Sequence, residues 1–222
     1  MTETAQRISP AQFHQAEGVG DWRVIGDGAC AWFRIPSFAA GARFVQAISE
    51  LPGTPAPDVD LRDGAVTVRL IRWVPGFFGM TEAHVAQARQ ISAAARELGL
   101  TADPSRAQNV QICLDALVVP DVMPFWLAVL GYTERGDCPG DMIDPRQRGP
   151  LVYFQEMDAP RPQRNRIHLD IWVAHDQAEA RVAAALAAGG RLVTDEHAPS
   201  WWVLADAEGN EVCIGTWLTR AE

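Results

Sequence analysis

A segment that begins at Ile167 places two groups suited to proton transfer on one side of a predicted strand. Successive side chains of a β-strand point to opposite faces, so His168 and Asp170 share one face, and Ile167, Leu169 and Ile171 share the other. We expect the aliphatic face to pack against helices. An imidazole beside a carboxylate can give or take a proton during a reaction. The pattern therefore predicts catalytic roles, with His168 as general acid or base and Asp170 tuning it.

Three other segments in this half of the chain alternate in the same way. Helices can cover only the apolar face of each strand, so the polar face must line water or a cavity, and a concave sheet lined in this way is a ligand site. Glu211 lies on one of these polar faces and is a second group that could tune His168. We predict substrate contacts from Gln111, Tyr153, Gln155, Trp172 and Cys213.

Three of these residues also have a purely structural interpretation. His168 could be a hydrogen-bonded wall residue, and Glu211 could close a salt bridge at a strand edge. Cys213 has no Lys or Arg beside it in sequence to stabilise a thiolate, which is typical of an inert buried thiol.

Turn and capping residues indicate that the second half repeats one plan, a strand, a helix and three more strands. Gly131 and the pair at 189–190 mark the helix ends, and Asp176 with Glu179 predicts the start of the second helix. In the first copy we predict strands at 110–114 and 151–157 and a helix at 122–130. In the second copy we predict strands at 167–173, 191–194, 201–204 and 211–217.

The first half predicts a separate domain with the order α-β-β-α-β-β-α. Ser9, Ser37 and Thr81 are suited to begin its three helices. The helix after Ser37 carries Phe38, Ala42, Val45 and Ile48 at helical spacing, and the helix after Thr81 ends its apolar face at Leu98. A polar, Pro-containing stretch at 101–105 follows. We therefore predict two α+β domains, at 1–103 and 104–222.

Composition narrows the classes of function. The formal net charge of −9 disfavours a nucleic-acid surface, and no apolar run reaches membrane-spanning length. The first residues lack the features of a signal peptide, which predicts a cytoplasmic location. The four cysteines are widely spaced, without a C-x-x-C pair, which disfavours a disulfide framework or a zinc ribbon. The expected partner is a small molecule, with a homodimer as an open alternative.

Residues 107–219 resemble the vicinal-oxygen-chelate superfamily, which includes glyoxalases and bleomycin-resistance proteins. The resemblance rests on three segments, 124–132, 166–171 and 204–213. It implies paired βαββ modules around an open-sided cavity. Metal-dependent members place ligands at positions that correspond here to Gln111, Gln155, His168 and Cys213. Two amides, one imidazole and one thiol suit a hard divalent ion poorly, so we expect no bound metal and no cofactor.

The resemblance leaves two functions open. The first is a metal-independent protein that acts on, or holds, a partly aromatic metabolite; as an enzyme it would be a lyase or isomerase using acid–base catalysis. The second is sequestration of a ligand without chemistry, as in bleomycin resistance.

Residues 9–98 resemble pterin-4a-carbinolamine dehydratase. That family uses a His-His-Pro-Glu/Asp segment for acid–base dehydration, and residues 55–58 here read Pro55-Ala56-Pro57-Asp58. The resemblance implies the fold, while the missing histidines predict an inactive domain. Residual 4a-hydroxytetrahydrobiopterin dehydratase activity is the alternative.

Overall fold

The computed structural model describes residues 6–52, 56–74, 76–160, 167–216 and 218. The chain divides into two compact units, residues 1–109 and 110–222. The division lies six residues beyond the boundary predicted from sequence. Residues beyond 103 also belong to the first unit, because the 3-10 turn at Pro104–Arg106 contacts the strand Gly28–Arg34 and the Asp103 N–H donates to the Trp32 carbonyl at 2.8 Å. Although its composition resembles that of a linker, the stretch at 101–105 therefore begins with a strand at the edge of a sheet.

The N-terminal unit packs three helices against one face of a five-stranded sheet with the order β1-β2-β4-β3, in which β7 also pairs with β2. A short hairpin of β5 and β6 precedes the last helix. Its elements are α1 (Pro10–Gln15), β1 (Arg23–Ile25), β2 (Gly28–Arg34), α2 (Phe38–Ser49), β3 (Asp58–Arg62), β4 (Ala65–Leu70), β5 (Arg72–Val74), β6 (Phe77–Gly79), α3 (Glu82–Glu97) and β7 (Thr101–Ala102).

In this unit the sequence predicted the starts of the helices correctly and their buried faces less well. Ser9 forms the predicted capping box with Gln12, and the Ser37 hydroxyl accepts from the Ala40 N–H at 3.2 Å. The buried side of α2 is Ala40, Gly41, Phe44 and Ile48. Phe38 is exposed, and so is Leu98, because each lies at a helix end beyond the edge of the core. Pro55, part of the dehydratase-like segment, lies outside the described residues.

The C-terminal unit contains two modules, each with one strand, one helix and three further strands. The first strand of each module runs parallel to the last, giving the sheet orders β8-β11-β10-β9 and β12-β15-β14-β13. The first module is β8 (Gln111–Ala116), α4 (Val119–Leu130), β9 (Thr133–Glu134), β10 (Asp141–Ile143) and β11 (Leu151–Glu156). The second module is β12 (Leu169–Trp172), α5 (Ala178–Ala187), β13 (Arg191–Thr194), β14 (Trp201–Ala205) and β15 (Glu211–Gly215).

One apolar core joins the two modules. It includes Phe125 and Trp126 of α4, Val182 of α5, and strand residues such as Val152 and Ile214. The aliphatic face of each sheet supplies this core, so the polar faces stay open, as alternation predicts. The fold is therefore α+β, with two small sheets in the C-terminal unit whose open faces are available to a ligand.

Two sequence interpretations in the second module were wrong. Asp176 does not cap α5, because a turn of 3-10 helix at His175–Gln177 precedes it and Gln177 takes the N-cap position without a side-chain hydrogen bond. Ile167 does not pack against a helix. The strand begins only at Leu169, and Ile167 is 80% exposed. Trp217, the predicted end of the last strand, lies outside the described residues.

Within the part of the chain that the structure describes, no helix has the length and apolarity needed to cross a membrane.

We expect the stability of the C-terminal unit to fall in acid because of Asp144, which is 3% exposed. Burial would raise the pKa of this carboxyl. Hydrogen bonds from the Arg146 side chain and from the N–H groups of Gly149, Arg146 and Arg148 outweigh that effect and lower the pKa from 3.8 to about 2.

The folded protein therefore holds the Asp144 proton less tightly than the unfolded chain does. This contribution to stability is present above pH 4 and is lost as the pH falls toward 2, amounting to about 2 kcal/mol. Urea unfolding between pH 6 and pH 2 measures it. Asp144→Asn should flatten that pH dependence, and an equally steep profile in the variant would contradict the assignment.

Candidate functional site

The second module brings three of the predicted site residues together on the open face of its sheet. His168 directly precedes β12, and its Nε2 lies 3.2 Å from Oδ1 of Asp170. Asp170 is paired across the sheet with Cys213 of β15. One donor atom from each of the three lies within 4.8 Å of the others. The side chains of His168 and Asp170 are each about half exposed, at 50% and 52%, so the cluster is open to a ligand.

The first module arranges a second polar group on its own open face. Tyr153 is paired with Cys113, and the Cys113 thiol lies 3.9 Å from the Gln155 Oε1, which it can reach as a donor. The hydrogen bond with Cys113 raises the pKa of the Tyr153 hydroxyl. Gln111 lies two residues before Cys113, so the two side chains share one face of β8. Cys113 was not among the residues chosen from sequence, although alternation places it between two that were.

A cleft of about 710 Å³ joins parts of both modules. Of the predicted site residues, Gln111, His168 and Glu211 line it. Ile112, Leu114 and Leu169, which alternation places on the core-facing sides of their strands, give the same cleft an apolar wall, so the cleft is lined from both faces of β8 and not from the polar face alone. Among the described residues, Asp170, Tyr153, Gln155, Trp172 and Cys213 are not part of its lining. Asp170 and Cys213 therefore stand next to the cleft, in contact with or close to His168.

Trp172 and Trp201 lie at the other end of the same open face. Both are paired with Gly215, from opposite sides of β15. A Cβ added at Gly215 would lie 3.5 Å from the ring of Trp172, so this indole leans over the glycine. Trp201 also stacks on His197, with ring centroids 4.3 Å apart. Trp202, on the opposite face, packs against the core.

The turn between β14 and β15 attaches the second module to the first. Asp206 is fully buried and its carboxylate accepts hydrogen bonds from the indole N–H of Trp126 at 2.9 Å and from the Asn210 N–H at 2.8 Å. The Glu208 carboxylate accepts from the N–H groups of Leu117 and Val118, at the start of α4. Val118 is the N-cap of α4 and Leu117 precedes it, so this carboxylate satisfies N–H groups at the entrance to the helix that have no partner within the helix.

Glu208 also lines the cleft, so the same turn closes one side of the site. Sequence reasoning missed this role. The only local signal is the Asp-x-Glu-Gly-Asn pattern at 206–210, which predicts a turn and gives no indication of its partners.

Of the four positions that metal-dependent vicinal-oxygen-chelate proteins use, two hold glutamine here, which is a weak ligand for a divalent ion. Gln111 and Gln155 offer only neutral carboxamides, and the Gln155 Oε1 already lies against the Cys113 thiol. The group formed by His168, Asp170 and Cys213 is chemically different. Imidazole, carboxylate and thiolate are the three ligand types that zinc takes from proteins, so this group fits a zinc-class cation.

Matched alanine variants should show which face of β12 is open. We expect His168→Ala to change the free energy of unfolding by less than about 1 kcal/mol, because a half-exposed side chain leaves no core void. Ile171 packs against the core, and Ile171→Ala should cost about 2–4 kcal/mol. Urea unfolding of both variants measures the difference. A large loss for His168→Ala with little for Ile171→Ala would mean that the faces are reversed.

Comparison with known proteins gives a result for the C-terminal unit alone. Residues 111–215 match the family model described as a glyoxalase-like domain. No curated protein matches the sequence significantly.

Several solved structures align with about half of the chain. A glyoxalase-related enzyme from Fulvimarina pelagi has 18% identity and a TM-score of 0.41, covering 50% of this chain and 88% of its own. A genomically encoded fosfomycin resistance protein from Listeria monocytogenes has 10% identity and a TM-score of 0.41, covering 52% and 95%. A glyoxalase/bleomycin resistance protein/dioxygenase family enzyme from Burkholderia phytofirmans PsJN has 21% identity and a TM-score of 0.37, covering 49% and 95%.

The family match begins at the first residue of β8 and ends at the last residue of β15, so it spans both modules and the whole of the site. Residues 111–215 of this chain are a glyoxalase-like domain.

Proposed function

We propose that the glyoxalase-like domain binds a small organic molecule in the cleft and that His168 exchanges a proton with it. The observation that carries this proposal is the 3.2 Å contact between Nε2 of His168 and Oδ1 of Asp170 beside the cleft. A carboxylate at that distance orients the ring and favours the tautomer with the proton on Nε2. The other ring nitrogen, Nδ1, is then the acceptor for a substrate proton.

The cleft lining supports a ligand with both polar and apolar parts. Gln111 can donate and accept hydrogen bonds, and Glu211 can accept them. Ile112, Leu114 and Leu169 provide contact for an apolar or aromatic part of the molecule. In this proposal Tyr153, Gln155, Trp172 and Cys213 act from the open sheet faces next to the cleft. A metal-independent lyase or isomerase reaction is the chemistry that such a proton-transfer pair serves.

Sequestration without chemistry is the second candidate, and one observation favours it. Both His168 and Asp170 are about half exposed, whereas acid–base catalysis gains most where water is excluded. The two candidates differ in what His168→Ala does. Under catalysis the variant should bind the ligand and turn it over about a hundredfold or more slowly, and under sequestration only the affinity should change.

The first experiment is a native mass spectrum of the full chain purified from cells, which reveals a small molecule that stays bound. Ligand-observed NMR with a set of small aromatic carbonyl compounds then gives a second, independent probe of the cleft. Gln111→Ala should weaken retention of bound compounds. His175→Ala, an exposed histidine outside the described lining, is the matched control and should not. Equal binding by all of these proteins would contradict the site.

For the N-terminal unit we propose a dehydratase-like fold without dehydratase activity. The order of helices and strands supports the proposal, since α1-β1-β2-α2-β3-β4 and α3 follow the order expected from the resemblance, with the β5–β6 hairpin added. Asp58 is the remaining acidic residue of the segment, and burial raises the pKa of its carboxyl.

We expect the rate of carbinolamine dehydration by the full chain to equal the uncatalysed rate, because positioned proton transfer contributes about a hundred- to ten-thousand-fold and both histidines are replaced. A carbinolamine dehydration assay tests this. A rate well above background that disappears in Asp58→Ala would establish the alternative, an active dehydratase.

A further inference from the structure

Two tryptophans are exposed side by side on the open face of the second sheet. Trp172 is 50% exposed and Trp201 is 37% exposed. Each is paired with Gly215 from a neighbouring strand, so both indoles stand on one face of the sheet with a glycine between them. Because Gly215 has no side chain, the Trp172 ring lies over its backbone, 3.5 Å from the position that a Cβ would take. One face of this ring therefore rests on the sheet, and much of the other is accessible to a ligand.

The cleft itself offers little flat aromatic surface. Among the described residues that line it, the aromatic ones are His168 and Trp126, and Trp126 is 1% exposed. The apolar wall formed by Ile112, Leu114 and Leu169 is aliphatic. Aromatic rings that stack on one another gain free energy beyond the burial of their area. An aromatic part of a ligand is therefore bound better on the exposed indoles than inside the cleft.

The strand β12 leads from the cleft to these indoles. His168, Asp170 and Trp172 occupy alternate positions and point to the same side of the chain. His168 and Trp172 are four residues apart, which corresponds to about 13 Å along an extended strand. His168 lines the cleft, so a molecule of this length can reach His168 with one end and the Trp172 ring with the other.

We propose that Trp172 and Trp201, on either side of Gly215, form a tryptophan platform on which a planar aromatic ring of the ligand stacks. The ligand is then an elongated molecule with this ring at one end and the polar, proton-exchanging group at the other. The inference rests on the proposed function and specifies its class of substrate. Trp172 supplies the ring face, and Trp201 forms the side of the platform, supported by its stack on His197 with ring centroids 4.3 Å apart.

Exposed tryptophans are also common where two proteins meet, so a second copy of the chain is the other occupant to consider. The position of the platform favours the small molecule. It shares its sheet face with His168, and that face continues into the cleft without a change of side.

The test compares two matched ketones by ligand-observed NMR with the full chain. One carries a naphthyl ring about 10 Å from its carbonyl, the strand distance less one hydrogen bond. The other carries a decahydronaphthyl group, which has similar bulk and no aromatic face. We expect the wild type to bind the naphthyl ketone about fivefold or more tightly. Trp172→Leu should abolish this ring preference, Trp201→Leu should lower it, and Trp172→Phe should keep most of it.

Two control variants should keep the ring preference of the wild type. Leu192→Ala removes an exposed apolar side chain of the same module, and Trp32→Leu removes a tryptophan of the N-terminal unit. Circular dichroism checks that each variant is folded. The proposal is overturned if the wild type shows no preference, or if Trp172→Leu retains it. A dimer in sedimentation that Trp172→Leu converts to a monomer would also overturn it, because a second copy would then cover the indoles.

A ketone with its carbonyl next to the naphthyl ring tests the length of the ligand. It should show the same ring preference, while Gln111→Ala should weaken only the longer ketone, which reaches the cleft. Equal dependence of both lengths on Gln111 would contradict an elongated ligand. If Gln111→Ala weakens binding and no change at Trp172 alters the preference, the proposed function stands and the platform fails. If only the changes at Trp172 have an effect, the platform stands and the proposed cleft site fails.

Discussion

Asp206→Ala should destabilise the C-terminal unit by about 3–5 kcal/mol, because it leaves several buried donors without a partner. The Asp206 carboxylate is fully buried and accepts from the indole N–H of Trp126, the N–H of Glu208, and both the backbone and side-chain N–H groups of Asn210. Removing it also frees the turn that holds Glu208 against α4. The same change should therefore loosen one side of the cleft.

Urea unfolding with hydrogen–deuterium exchange, which assigns each transition to one unit, measures the loss. Asp206→Asn keeps the shape and one acceptor oxygen and should lose less stability. Asp195→Ala, at an exposed aspartate of the same module, is the control and should change the free energy of unfolding by less than about 0.5 kcal/mol. A loss for Asp206→Ala no larger than that of the control would refute the role of the turn.

Trp126→Ala should have an effect of similar size for a different reason. Trp126 is 1% exposed and meets Phe125 edge to face, with ring centroids 5.5 Å apart. Truncating a buried tryptophan leaves a large void and costs about 3–5 kcal/mol. The change also removes the indole donor to Asp206.

Trp126→Phe separates the two contributions, since it retains most of the apolar volume and loses the N–H group. We expect it to cost about 1–3 kcal/mol, less than the alanine variant. The same urea and exchange measurements apply. Equal losses for Trp126→Phe and Trp126→Ala would mean that the hydrogen bond carries the whole effect and that packing contributes little.

Together these variants test whether the turn at 206–210 holds the two modules together. Asp206 and Trp126 share a hydrogen bond, so their effects should not add. The Asp206→Asn and Trp126→Phe double variant should be more stable than the sum of the single losses predicts.

Alternation and capping along the sequence were sufficient to locate most strands and helices. They placed the polar and aliphatic residues of β8, β11, β12 and β15 on opposite faces, because a strand repeats every two residues wherever it is paired. Most errors occurred at element ends, and one lies within α2, where Ala42 was predicted on the apolar face and is exposed. Ile167 and Phe38 continue an apolar pattern past the point where the core ends, and only the surrounding packing shows where that is.

For the candidate site, too, some features follow from the sequence and others only from the tertiary structure. The sequence by itself determined which residue types are present, and it placed His168 and Asp170 on one strand face, since that depends only on their spacing. The tertiary structure alone decided that Cys213 lies opposite Asp170, that Gln111 and His168 line one cleft, and that Glu208 closes it. These contacts join residues 43 to 91 positions apart. Strand register and the packing of one module on the other create them, and neither leaves a periodic signal in the sequence.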